Sequence, residues 1–195
     1  DWSSLSYYYC IIAFSKNSKI NVGNFYEKSI QGDKKLVNIY SKFGVETKFL
    51  KNEGRIILSK NKDYKVPIKI NIDLVENPDI AQTVIITCFG LGISCEITGL
   101  QTLKIKETDR LQAMKNELRK LGADVEITKN SLHLSPIEKI NKNISINTYN
   151  DHRMAMAFSP LAMLVPITIN NPEVVTKSYK NFWKDLKAIN FNISS

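Results

Sequence analysis

The stretch Pro67–Leu100, PIKINIDLVENPDIAQTVIITCFGLGISCEITGL, reads as strand, helix and strand in succession. Isoleucine or leucine at every second place from Ile68 predicts a strand over PIKINIDL. Asp79 then opens DIAQTVIITCFG, an almost wholly apolar run that reads as a buried helix with Asp79 at its N-cap. SCEITGL, from Ser94, is a second short β-rich run. Beyond it, Thr108–Leu121 has the periodicity of an amphipathic helix. KLGADVEITKNSLHLS, Lys120–Ser135, follows with a glycine C-cap, a strand, a polar turn and another strand. The unit is strand, helix, strand, helix, strand, strand.

The same unit recurs on both sides. Apolar segments behind an aspartate stand at DWSSLSYYYCIIAF from Asp1 and DHRMAMAFSPLAML from Asp151, spaced 78 and 72 residues from Asp79. Each is followed by a β-rich run, KINVGNF from Lys19 and PITINNP from Pro166, and then by a second helix, Gly32–Phe43 and Ser178 to about Ile189. KFGVETKFLKNEGRIILS, Lys42–Ser59, repeats the closing hairpin, and NISINTY, from Asn143, repeats the leading strand. The first copy lacks its leading strand and the last lacks its hairpin. No Pro/Gly/Ser tract or charge block separates the copies. The expectation is an α+β fold in which residues 1–195 form one domain of about three βαβαββ repeats, with incomplete first and last copies. The opening Asp1-Trp2, with no methionine, suggests a piece of something longer.

Composition narrows the classes. Twenty-seven Lys and Arg against nineteen Asp and Glu give a formal charge of +8, which suits anionic partners. Nucleic acid is the less favoured of these, because the lysines are scattered rather than striped and no aromatic stacking motif is present. No apolar run reaches the roughly 20 residues of a membrane span. Cys10, Cys88 and Cys95 sit in apolar surroundings without metal-ligand spacing, as buried free thiols of a reducing compartment would. A soluble cytoplasmic protein is expected, with neither a metal nor a cofactor.

Two stretches carry chemistry. In INTYNDHRMAMAFSPLAML, Ile146–Leu164, His152 and Arg153 stand in the first turn of a helix, whose positive dipole end favours anions. In LKIKETDRLQAMKNELRKLG, Leu103–Gly122, Lys106, Glu107, Asp109 and Arg110 crowd another helix start, with Thr108 or Asp109 as the cap and Gln112 placed to complete a capping box. Free amides and cations together at a helix start suit phosphate or carboxylate. Two occurrences in three repeats make coincidence the weaker account, and an anion is expected there.

KETDRL (Lys106–Leu111), YNDHRMAMAF (Tyr149–Phe158) and VTKSYKNF (Val175–Phe182), with DWSSLSYYY and SIQGDKK (Ser29–Lys35), together resemble the 3-phosphoshikimate 1-carboxyvinyltransferases, the EPSP synthases of the shikimate pathway. The resemblance implies two similar domains, each of three βαβαββ units in a pseudo-threefold arrangement, and places this chain in the C-terminal stretch of such a protein, with the N-terminal domain absent. It implies a transferase of chorismate and aromatic amino acid biosynthesis, the target family of glyphosate, acting as a monomer. The enolpyruvyl group of phosphoenolpyruvate would pass to the 5-hydroxyl of shikimate 3-phosphate. By resemblance Arg110, Arg153 and Lys177 hold phosphoenolpyruvate, Lys106 lies beside the shikimate hydroxyl, Asp79 is the base and Glu107 the proton donor. His152 would orient or tune a neighbour, Thr102 stands where many members offer an amide, and His133 is uninvolved. The compensating anion at both helix starts would be substrate, and the chain alone would be inactive. Competing readings are an enolpyruvyl transferase acting on a UDP-amino sugar and a non-catalytic anion-binding domain.

Overall fold

The computed structural model describes residues 1–51 and 53–194. At its centre lie three largely apolar helices, α1 (Trp2–Phe14), α3 (Ala81–Gly90) and α5 (His152–Phe158), the last apolar beyond His152 and Arg153. α3 packs against both α1 and α5, and the 3-10 turn Ser159–Met163 that continues α5 meets α1. Helices this apolar are stable only when surrounded, and nearly all their residues are buried, including Tyr9, Ile12, Ile85, Ile86 and Phe158 at 0% exposure.

Three sheets surround them, and their topologies identify the repeat. β4 (Lys69–Asp73) pairs in parallel with β5 (Ser94–Thr98), and β5 pairs antiparallel with β7 (Leu132–Leu134), which pairs with β6 (Val125–Ile127), in the order β4-β5-β7-β6. In the first unit β1 (Lys19–Gly23), β2 (Val45–Leu50) and β3 (Arg55–Lys60) form the antiparallel part alone, β1-β3-β2. In the third, β8 (Ile144–Ile146) and β9 (Ile167–Ile169) form the parallel part alone. The middle unit contains both patterns, so one βαβαββ unit is complete and the other two are truncated at opposite ends, as the sequence led us to expect. Glycines supply both turns into the hairpins: Gly44 at φ 74° and Gly122 at φ 98° occupy the left-handed region that ends a helix cheaply.

The outer helices begin later than their sequences suggest. Gly32–Lys35 is a 3-10 turn, and α2 runs only over Leu36–Ser41. The Asp33 carboxylate, in that turn, accepts from Ser3 Oγ and from Asn77 Nδ2 at 3.1 Å. α4 is Arg110–Lys120, and α6, expected from Ser178, starts at Phe182 and ends at Ala188, behind the 3-10 turn Pro172–Lys177.

Candidate functional site

Asp79 is the point on which the site is built. It does not cap α3. Pro78 draws residues 78–80 into a 3-10 turn capped at Asn77, so the Asp79 side chain is released outward from the start of the buried helix. Its Oδ1 lies 3.3 Å from Lys106 Nζ and 3.3 Å from Arg110 Nη1, and its Oδ2 lies 3.2 Å from Arg153 Nη2. Arg153 Nη1 also donates to the Asp79 carbonyl at 2.7 Å. Three cations from two segments, Lys106–Arg110 and the start of α5, thus share one carboxylate.

Arg110, the first residue of α4, lies beneath this group at 1% exposure. Its Nε donates to Asp151 Oδ2 at 2.6 Å and its Nη2 to Glu107 Oε2 at 2.6 Å, while Nη1 faces Asp79. Asp151, 0% exposed, is also the N-cap of α5 and accepts from the Arg153 amide at 2.8 Å. Asp109 caps α4 through the Gln112 amide at 3.0 Å, but the Gln112 side chain turns to Asn116, so the capping box is not closed. The charge that balances the cations at these two helix starts is therefore protein carboxylate: Asp79, Glu107 and Asp151 against Lys106, Arg110 and Arg153. An expected substrate anion is not needed to account for them.

Depth sorts the group. Asp79, Lys106 and Glu107 have side chains 34%, 33% and 40% exposed, whereas Arg110 is sealed at 1%, so the cations at the surface of the cluster are Lys106 and, less openly, Arg153. Lys177 stands apart from the Asp79 contacts: its Nζ donates to the Asn150 carbonyl at 2.9 Å and to Asn150 Oδ1 at 2.8 Å, beside the residue that caps α5. Asn147, Thr148, Tyr149, Asn150, Asn170 and Asn171 line an open cleft of about 400 Å³ at this edge. Thr102 lies in the 3-10 turn Gln101–Ile105 that delivers Lys106, and His133 is exposed on β7, making no contact with the cluster.

Glu107, Asp151 and His152 bring ligand atoms within 4.8 Å of one another, a spacing that could suit a cation. The Arg110 guanidinium already rests on both carboxylates and supplies that charge. His152 Nδ1, 3.8 Å from Glu107 Oε1, is buried without a hydrogen-bond partner.

The electrostatics follow from these contacts. Burial works to raise the pKa of Asp79, but Arg153, Lys106 and Arg110 overcome it and hold the carboxyl below its ordinary 3.8. Burial lowers the pKa of His152 below 6.5, with Asp151 and Glu107 opposing and Arg153 and Arg110 assisting. The folded chain thus takes up a proton at His152 less readily than the unfolded chain. The contribution of neutral His152 to stability is complete above about pH 6.5 and declines as the pH falls below it, whereas the Asp79 contribution persists until the pH falls below about 4. Thermal melts should show a falling Tm between pH 7 and pH 5.5, with a shallower slope for His152→Gln. An unchanged slope would place the linkage elsewhere.

Tyr7 of α1 escaped the sequence reading. It is buried against Phe182, and the charges of Arg153, Asp151, Arg110 and Asp79 all act on its hydroxyl, whose pKa burial pushes up to about 12. Within the run YYY nothing in the sequence distinguishes it from Tyr8 and Tyr9. The pairing of Asp151 with Arg110, 41 residues away, was equally out of reach.

A family model described as EPSP synthase (3-phosphoshikimate 1-carboxyvinyltransferase) matches residues 1–186. The 3-phosphoshikimate 1-carboxyvinyltransferase of Bacteroides fragilis strain YCH46 is 40% identical over 196 residues, covering 99% of this chain and 47% of that protein. The enzyme of that name from Neisseria meningitidis serogroup B is 34% identical, over 94% of this chain and 42% of its own. The chain thus spans about half the length of the curated relatives it matches. Among solved structures, EPSP synthase from Acinetobacter baumannii superposes with a TM-score of 0.71 over 95% of this chain and 45% of its own, at 20% identity. The enolpyruvyl transferase NikO from Streptomyces tendae gives 0.67 at 14% identity, over 100% of this chain and 44% of its own. At such identities these two matches speak for the fold alone.

Proposed function

Because the chain belongs to the EPSP synthase family, we propose that it forms a single domain supplying one wall of an active site that transfers the enolpyruvyl group of phosphoenolpyruvate to the 5-hydroxyl of shikimate 3-phosphate. The observation that carries this reading is the Asp79 carboxylate set among Lys106, Arg110 and Arg153, with Glu107 alongside. Both substrates are polyanions, and Arg offers them a fork that binds two oxygens at once.

The reaction needs a proton taken from a hydroxyl and another given to, then withdrawn from, a methylene carbon. Asp79 takes the first role and Glu107 the second. Held ionised by three cations, Asp79 is a weak base while the site is empty. A substrate anion that engages Lys106 and Arg153 withdraws those cations from Asp79, which raises its pKa and strengthens it as a base when the hydroxyl is present. Lys106 and Arg153 are the first cations an anion meets, Lys177 extends the basic wall toward the Asn150 turn, and Arg110 fixes Glu107 and Asp151 from below.

The second wall is the domain that the longer relatives carry and this chain does not match. Among the described residues no helix is long and apolar enough to cross a membrane, and all three cysteines are buried and unpaired, which supports a cytoplasmic setting. The test uses the complete enzyme, meaning this chain joined to that second domain. Phosphate release from phosphoenolpyruvate should require shikimate 3-phosphate, and a UDP-amino sugar should not replace it. Release driven by the UDP-amino sugar instead would assign the chain to a different enolpyruvyl transfer.

A further inference from the structure

Glu117 is a buried carboxylate with no part in the chemistry above. It lies on α4 at 0% exposure, between Met114 and Leu118 on the helix's apolar side. A carboxylate so placed is costly unless its lone pairs are filled, and three donors fill them. Lys120 Nζ reaches Oε2 at 2.6 Å, the Asn147 amide donates to Oε2 at 3.0 Å, and the Tyr149 hydroxyl donates to Oε1 at 2.6 Å.

Two of these donors belong to one segment, the connection between β8 and α5. That connection is strained: Tyr149 at φ 54° and Asn150 at φ 58° are consecutive non-glycine residues in the left-handed region. Backbone of this kind persists only where its surroundings hold it. It leads directly into Asp151, His152 and Arg153. Arg110 stands seven residues before Glu117, two turns along α4 and on the same face. One helix face thus grips the connection twice, Glu117 at Asn147 and Tyr149 and Arg110 at Asp151.

We propose that Glu117 is a positioning residue of the site: with Arg110 it pins residues 147–151 so that Asp151 stays on Arg110 and Arg153 stays on Asp79. The proposal rests on the Asp79 cluster being the site, and not on which reaction occurs there.

The titration of His152 allows a direct test. The charged groups facing His152 are Asp151 and Arg153 on α5, Glu107 ahead of α4 and Arg110 on α4; Glu117 is not among them. Losing its negative charge would not by itself raise the His152 midpoint, so an upward shift reports movement of the segment. NMR titrations would compare the wild-type chain with Glu117→Ala and Glu117→Gln. In Glu117→Ala, water reaching the loosened segment should raise the His152 midpoint toward the ordinary histidine value. Glu117→Gln retains an acceptor for the Asn147 amide and should recover most of the wild-type curve. A folded Glu117→Ala with a lower Tm but an unshifted His152 curve would reduce Glu117 to a purely structural group and overturn the proposal. Should Glu117→Ala not fold, Tyr149→Phe, which removes one hydroxyl, is expected to give the same upward shift, and its absence would count equally against it. Because no substrate is present, failure here leaves the enolpyruvyl-transfer reading standing, and failure of turnover leaves this inference standing.

Discussion

In the complete enzyme, Glu107→Gln should lower kcat by about 10²–10⁴-fold while leaving KM for phosphoenolpyruvate nearly unchanged. The side-chain oxygen of glutamine can still accept from Arg110 Nη2, the 2.6 Å contact that fixes this side chain, so the local arrangement survives. What is lost is a group that can gain and give up a proton. Asp79→Asn should lose turnover by a similar factor for the same reason, but with an opposite companion effect. The wild-type carboxylate lies within 3.3 Å of three cations and competes with any anion that approaches them. An amide competes less, so KM for phosphoenolpyruvate should fall together with kcat. Steady-state kinetics on the two variants separate these outcomes. A Glu107→Gln enzyme that keeps most of its turnover, or that fails only through a raised KM, would make Glu107 a binding residue and remove it from proton transfer.

The second large effect is on stability. Arg110→Ala should destabilise the chain by about 3–5 kcal/mol, the usual consequence of removing one partner from a buried ion pair. Asp151 is 0% exposed and would keep only the Arg153 amide to balance it, while Glu107 and Asp79 would each lose a cation. Against the 5–15 kcal/mol by which domains are ordinarily stable, this is enough to unfold a modestly stable one. Arg110→Lys should recover only part of the loss, since an ammonium cannot present Nε and both Nη groups to three carboxylates in a plane. Urea denaturation of the three proteins measures the difference, and an Arg110→Ala chain within about 1 kcal/mol of wild type would mean that the buried charges are balanced in another way.

The repeat was legible because its signals are local: alternation in PIKINIDL, aspartates ahead of apolar runs, and Gly44 and Gly122 where two helices end. Sequence patterns reach as far as neighbouring residues do, and they failed where a distant partner decided the outcome. Asp79 looked like Asp1 and Asp151, yet Pro78 and three cations from other segments took it away from capping. That Lys106, Arg110 and Arg153 meet was implied by the family resemblance and not by their place at helix starts; Lys177, expected with them, stands apart at Asn150. The carboxylate balance among them was not readable, because the Arg110–Asp151 pair joins separate repeats. Glu117 did leave a trace that went unread: Arg110, Met114, Glu117 and Leu118 share the buried side of α4, and a carboxylate at such a position signals a partner.

If the chain is one wall of a two-walled site, release of inorganic phosphate measures this most directly. With phosphoenolpyruvate and shikimate 3-phosphate present, the complete enzyme should turn over and the 195-residue chain alone should not, since positioning both reactants contributes roughly 7–11 kcal/mol of such a barrier. Release by the isolated chain at a rate near that of the complete enzyme would contradict the account.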